Sequence, residues 1–148
     1  MIAITWASFV AVLIPNIAGF LSSIPMVGQL YNDAGDAFFQ KIKKPSWVPP
    51  SSSFAFILIF LYSAMGYSSY LVYEACGGLT EKAVQPLSLY ILQLFVNATY
   101  TYTMFTWHLL DWAFVHACVL DVLVLLTSFY FWPYSQASVY FLIPYYLW

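Results

Sequence analysis

The chain has no arginine. Its cations are Lys41, Lys43, Lys44 and Lys82, set against six carboxylates, and the net charge is −2. That excludes the clustered basic surface on which nucleic-acid binding depends. Charged residues make up 7% of the sequence, where a soluble domain carries roughly a quarter. Cysteine is nearly absent. Cys76 and Cys118 fall in different predicted helices and show no ligand spacing, so buried, inert thiols are the expected reading, with a disulfide left open. No His, Cys or carboxylate cluster has the spacing of a metal site. No nucleophile–base pair, glycine-rich phosphate loop or pair of catalytic carboxylates can be assembled either. The N-terminus lacks a basic segment before its apolar run, so it reads as a retained span rather than a cleaved leader.

What the chain does contain is apolar length. Hydrophobic residues make up 63% and aromatic residues 22%. A membrane-spanning helix needs about 20 mostly apolar residues. Four segments meet that length, over about residues 2–27, 53–76, 83–106 and 109–131. A fifth begins near Gln136 and stops at Trp148. Thirteen helical residues reach about 20 Å of a core about 30 Å thick, so the fifth span is expected to be incomplete in this sequence. The expected fold is a single all-α transmembrane domain over 1–148, a five-helix bundle whose fifth helix is cut short.

The breaks between spans carry the remaining signals. The longest holds Lys43-Lys44-Pro45-Ser46-Trp47-Val48-Pro49-Pro50. Its prolines cannot continue a helix, and a Trp beside two Lys suits the bilayer interface. A short interfacial helix is expected just before it, over 33–42. Gly77-Gly78 and Trp132-Pro133 mark later ends, and Pro86 is placed in the first turn of the third helix, where proline is tolerated. Three of the four lysines lie in the first loop, which the positive-inside rule puts in the cytosol, with the N-terminus opposite.

Three helix faces stand out. The first helix repeats small or helix-bending residues every fourth position: Ala3, Ala7, Ala11, Pro15, Gly19 and Ser23. Such a stripe lets a second helix approach closely. Packing within the bundle is the plain reading, and a homodimer interface is the other. The third helix carries Tyr90, Gln93, Asn97, Tyr100 and Met104 on one face. Amides left unpaired in hydrocarbon cost a kcal/mol or more each, so this face is expected to point inward, for interhelical bonding or as a cavity wall. The fourth helix puts Trp112, Val115 and Val119 on one face, with His116 close by. Asp121 lies about 140° round the helix from His116, too far for direct pairing. A carboxylate in a span marks a functional site by default, and Asp121 is expected to be buried, either sharing a hydrogen bond with another helix or held neutral. A bundle with inward aromatics and amides suits a flat, largely apolar ligand.

These residues, in this order, resemble the translocator protein family, also called peripheral benzodiazepine receptor or tryptophan-rich sensory protein. The resemblance rests on Lys44-Pro45-Ser46-Trp47-Val48-Pro49-Pro50 after the first span and Tyr62-Ser63-Ala64-Met65-Gly66-Tyr67 in the second. It extends through Leu89-Tyr90, Gln93-Leu94 and Asn97 in the third, Trp112 in the fourth, and Pro144-Tyr145 with Trp148 in the fifth. It covers nearly the whole chain. It implies a five-helix bundle, often dimeric, in the outer mitochondrial or a bacterial membrane. The ligands it implies are porphyrins, cholesterol and synthetic isoquinoline or benzodiazepine compounds, with no required cofactor. Carried over by position, the site would comprise Phe54, Ala55, Ile57 and Leu58 from the second helix and Asn97 and Tyr100 from the third. Trp112, Val115 and Val119 would come from the fourth helix and Trp148 from the fifth. The first loop would be a lid, with Lys41, Lys43, Lys44 and Trp47 over the mouth. Some bacterial members are implied to degrade porphyrin in light with two pocket tryptophans. Leu58 occupies one of those positions here and Trp148 the other, which weakens the enzymatic reading. Tyr100 stands where animal members have Trp, and His116 where an acid is usual. A membrane scaffold without a specific pocket is the third reading.

Overall fold

The computed structural model describes residues 4–31, 41–49 and 51–148. Five helices occur among them: α1 Trp6–Tyr31, α2 Ser51–Ala75, α3 Glu81–Phe105, α4 Leu110–Phe131 and α5 Gln136–Leu147. No strand occurs among the described residues. The five-helix membrane bundle expected from the apolar lengths is the fold. α1, α2 and α4 each hold a stretch long and apolar enough to cross a membrane. α3 matches α2 in length at 25 residues but is more polar, because it carries the amide and tyrosine stripe. α5 has 12 residues. The interfacial helix expected over 33–42 lies outside the described residues, apart from Lys41 and Ile42.

The helix ends follow local chemistry. At the end of α2 the chain needs a left-handed residue to turn out, and Gly77 supplies φ +74°. The Gly78 N–H then donates to the Tyr73 carbonyl at 2.9 Å, and the Gly77 N–H to the Glu74 carbonyl at 3.0 Å. This is the paired bonding of a Schellman end, which satisfies carbonyls the helix itself leaves open. α3 begins two residues earlier than the sequence suggests, so Pro86 falls in its second turn rather than its first. α5 is capped by Ser135, whose Oγ accepts from the Ser138 N–H.

The helices close a ring in the order α1, α2, α5, α4, α3, with α2 also touching α3 across the middle. Close approach of α1 and α2 depends on glycine. A Cβ on Gly66 would lie 2.4 Å from the Ala11 carbonyl oxygen and 2.7 Å from Val12 Cα. Pro15 has no N–H, so that Ala11 oxygen has no donor one turn on, and the bare Gly66 backbone packs against it. A Cβ on Gly19 would meet the Tyr62 ring at 2.1 Å. The Ala11, Pro15 and Gly19 part of the small-residue stripe therefore serves packing within the bundle.

One half of the ring is filled. Met65 and Val72 of α2, Tyr90 and Leu94 of α3, Phe131 of α4 and Leu142 of α5 form a buried cluster. Polar bridges tie the same helices. Ser68 Oγ donates to the Ser138 carbonyl at 2.8 Å, and Asn16 Nδ2 donates to Ser63 Oγ at 3.1 Å. Large apolar side chains such as Phe9, Phe20, Phe60, Phe114 and Phe129 are exposed. In water such a surface would aggregate; in lipid it is the solvated face. Both cysteines are free, and Cys118 is exposed rather than buried.

Candidate functional site

The other half of the ring is open. The helix ends near the first loop and the α3–α4 turn enclose a cavity of about 550 Å³, within the usual range for a small-molecule site. α2 contributes Phe54, Leu58 and Tyr62 to its wall, one face at spacings of four. α3 contributes Asn97, Tyr100, Thr101, Met104 and Phe105. α4 contributes Ala117, Leu120 and Asp121, and α5 contributes Tyr145 to Trp148. Met26 at the end of α1 and Ile42, Lys44 and Val48 of the first loop complete it.

The inward stripe of α3 pairs the donors of its amides, while Gln93 Oε1 is buried without a partner among the described residues. Gln93 is fully buried and its Nε2 donates to Met65 Sδ at 3.2 Å. Asn97 Nδ2 donates to the Tyr62 hydroxyl at 3.0 Å, which fixes both side chains at the cavity wall. Tyr100 stands edge-on to the His116 ring, with centroids 6.2 Å apart. His116 Nε2 lies 3.0 Å from Thr99 Oγ1 and its Nδ1 lies 3.4 Å from Thr103 Oγ1. The Thr99 hydroxyl donates to the Val96 carbonyl, so its oxygen is open to accept from an Nε2–H. His116 is thus a clasp between α3 and α4 behind the wall. On the opposite side, Phe54 and Trp148 meet edge to face at 5.5 Å, a favourable aromatic geometry.

Of the residues assigned by resemblance, Phe54, Leu58, Asn97, Tyr100 and Trp148 share this wall, and Lys44 joins them from the loop. Ala55 and Ile57 neighbour the α2 wall residues but are not part of the wall. Lys41, Lys43 and Trp47 are exposed outside it. The α4 residues assigned by resemblance do not line this cavity. Trp112, Val115 and Val119 are 63%, 49% and 47% exposed, on a face turned away from the cavity. Ala117, Leu120 and Asp121 take their place. The expectation for Asp121 is corrected: it is exposed rather than buried, with its surface on the cavity. Tyr62, Tyr145 and Tyr146 were missed, although the sequence places Tyr62 one turn after Leu58.

The comparison with known proteins agrees with this architecture. A sequence model described as the TspO/MBR family matches residues 11–148. The chain belongs to the TspO/MBR family. The Translocator protein of Sus scrofa is 35% identical over 136 residues, covering 92% of this chain and 78% of that protein. The Translocator protein of Homo sapiens is likewise 35% identical with the same coverage. Protein CrtK of Rhodobacter capsulatus is 32% identical over 112 residues, 76% of this chain and 69% of its own. Family membership and the apolar helices together make this TspO/MBR chain an integral membrane protein.

Proposed function

We propose that this TspO/MBR protein binds porphyrins and sterol-like or isoquinoline- and benzodiazepine-type ligands as a membrane sensor or translocator. The observation that carries the reading is the cavity between the helix ends. It offers a flat ligand aromatic faces at Phe54, Tyr100, Tyr145 and Trp148, a fixed amide at Asn97, and a loop cation at Lys44. Apolar walls with a few placed polar groups are what binds such a ligand with orientation. A location in the outer mitochondrial membrane, or in a bacterial membrane for a prokaryotic source, belongs to the same reading, as does a homodimer.

The test is a titration of protoporphyrin against tryptophan fluorescence with the protein in nanodiscs. Saturable quenching, reduced in Trp148→Ala and Phe54→Ala, supports a ligand-binding cavity. Quenching that rises linearly, as in empty nanodiscs with a tryptophan peptide, would leave the bundle a scaffold. Loss of the porphyrin absorption band under light, dependent on the protein, would instead make it an enzyme.

A further inference from the structure

We infer that the carboxyl group of Asp121 makes the cavity selective for ligands that carry an ammonium group on a flat apolar body. The inference rests on the reading that this cavity binds a flat ligand, and it names the chemical class the site prefers.

Three observations carry it. The first is depth. Asp121 lies near the middle of α4, about 15 Å from either end of the helix at 1.5 Å per residue. It is therefore not a headgroup-level acid. The second is want of a partner. Among the described residues no hydrogen bond or ion pair reaches the Asp121 side chain, and an acid at this depth is left to be hydrated, held neutral or paired by what enters the cavity. His116, the other ionisable group in the middle of α4, is committed to Thr99 and Thr103. The third is the surroundings. Asp121 opens on the cavity, whose wall it shares with Tyr62, Tyr100 and Tyr145, and Tyr145 lies within its electrostatic reach.

Tyrosines and an acid on one cavity wall are the groups that recognise an organic cation. The rings attract a cation through their quadrupoles, and the carboxylate accepts its N–H bonds with charge assistance. A neutral ligand of the same shape gains the apolar contacts and leaves the acid unanswered. Lys44, the other charged side chain among the described lining residues, comes from the first loop and has an interaction of its own. The ammonium therefore belongs at Asp121 and the apolar body between the aromatic walls.

The experiment uses two probes of one shape, 1-pyrenemethylammonium and 1-pyrenemethanol, with the full chain in zwitterionic-lipid nanodiscs. Energy transfer from tryptophan to pyrene reads binding, and empty nanodiscs supply the partition background for each probe. The wild-type protein is expected to bind the ammonium about tenfold or more tightly than the alcohol, the size of a charge-assisted hydrogen bond. In Asp121→Asn the ratio should fall to about one. Asp121→Glu and the outer-face variant Trp112→Ala should keep it. Equal binding of the two probes by the wild type overturns the inference without reference to any variant. So does a preference that survives in Asp121→Asn. Absence of saturable transfer from either probe overturns it too. Saturable protoporphyrin quenching in that case would leave the cavity reading standing alone.

Discussion

Gly19→Ala tests how the α1–α2 contact is coupled to the cavity. A methyl at this position would lie 2.1 Å from Tyr62 Cε2, 2.5 Å from Cδ2 and 2.9 Å from Cζ. The obstacle is a ring edge, not a flexible chain end. To restore ordinary contact beyond 3.4 Å the ring must retreat by over an ångström. Tyr62 is buried in the core and its hydroxyl holds Asn97, so retreat drives it toward the cavity and breaks that bond. Overpacking costs about 1–3 kcal/mol and the lost hydrogen bond about 0.5–1.5 kcal/mol. The expected loss of stability is therefore about 1.5–4.5 kcal/mol, accompanied by weaker protoporphyrin binding. The assays are unfolding in mixed micelles followed by helix circular dichroism, and the fluorescence titration above. Tyr62→Phe alone removes the bond and keeps the ring, so it should cost only the smaller share. Tyr62→Leu removes the ring, so adding Gly19→Ala to it should cost far less than in the wild type. Equal costs of Gly19→Ala in both backgrounds would refute the reasoning, because the clash would then lie elsewhere.

Gly66→Ala should destabilise more than Gly19→Ala, since two of its three close neighbours are α1 backbone atoms that cannot rotate away; unfolding in micelles checks the order. Trp148→Ala should weaken protoporphyrin binding by about 1–3 kcal/mol through lost burial and the loss of an aromatic wall held edge to face by Phe54, whereas Trp112→Ala should leave it near wild type; equal losses would show general destabilisation. His116→Leu should cost about 1 kcal/mol of stability through the lost bond to Thr99, measured by the same unfolding transition. Lys44→Ala should weaken binding of protoporphyrin more than of its dimethyl ester, by about 0.2–1 kcal/mol and less at high salt; identical losses for acid and ester would make Lys44 a topology anchor.

Much of the fold was legible in apolar length and punctuation, because a span must satisfy its own backbone and therefore runs until proline or glycine stops it. The α3 face was legible for a related reason. Gln93 and Asn97 carry amides that lipid cannot satisfy, so only one orientation was open to them, and the structure shows it. α4 gave no such lever. Its apolar residues are spread over every side, and lipid is as apolar as a protein core. Trp112, Val115 and Val119 share a face by spacing, but spacing does not say which way that face turns. The aromatic side chain that looked like a ligand platform faces outward, and the small Ala117 and Leu120 face the cavity. Asp121 was legible as an acid at depth, but not as a wall residue. Its expected burial assumed that a mid-span acid must be enclosed by protein, whereas a cavity among helix ends can expose it without giving it to lipid.

Tyr62 links the two halves of the bundle, and this explains why the cavity is not collapsed. Helices in lipid gain little from hiding apolar surface, so they hold together by close backbone approach and by hydrogen bonds. Here the close approaches at Gly19 and Gly66 and the bonds at Asn16, Ser68 and Gln93 join α2 to α1, α5 and α3. Those contacts leave the N-terminal half of α2 to meet α3 through Tyr62 and Asn97. Below that pair, Phe54 and Leu58 face the cavity, and Phe54 leans on Trp148 of α5. His116 holds α4 to α3 from behind the wall. The cavity is therefore framed by fixed contacts on three sides. The described part of the first loop brings Ile42, Lys44 and Val48 to the remaining side.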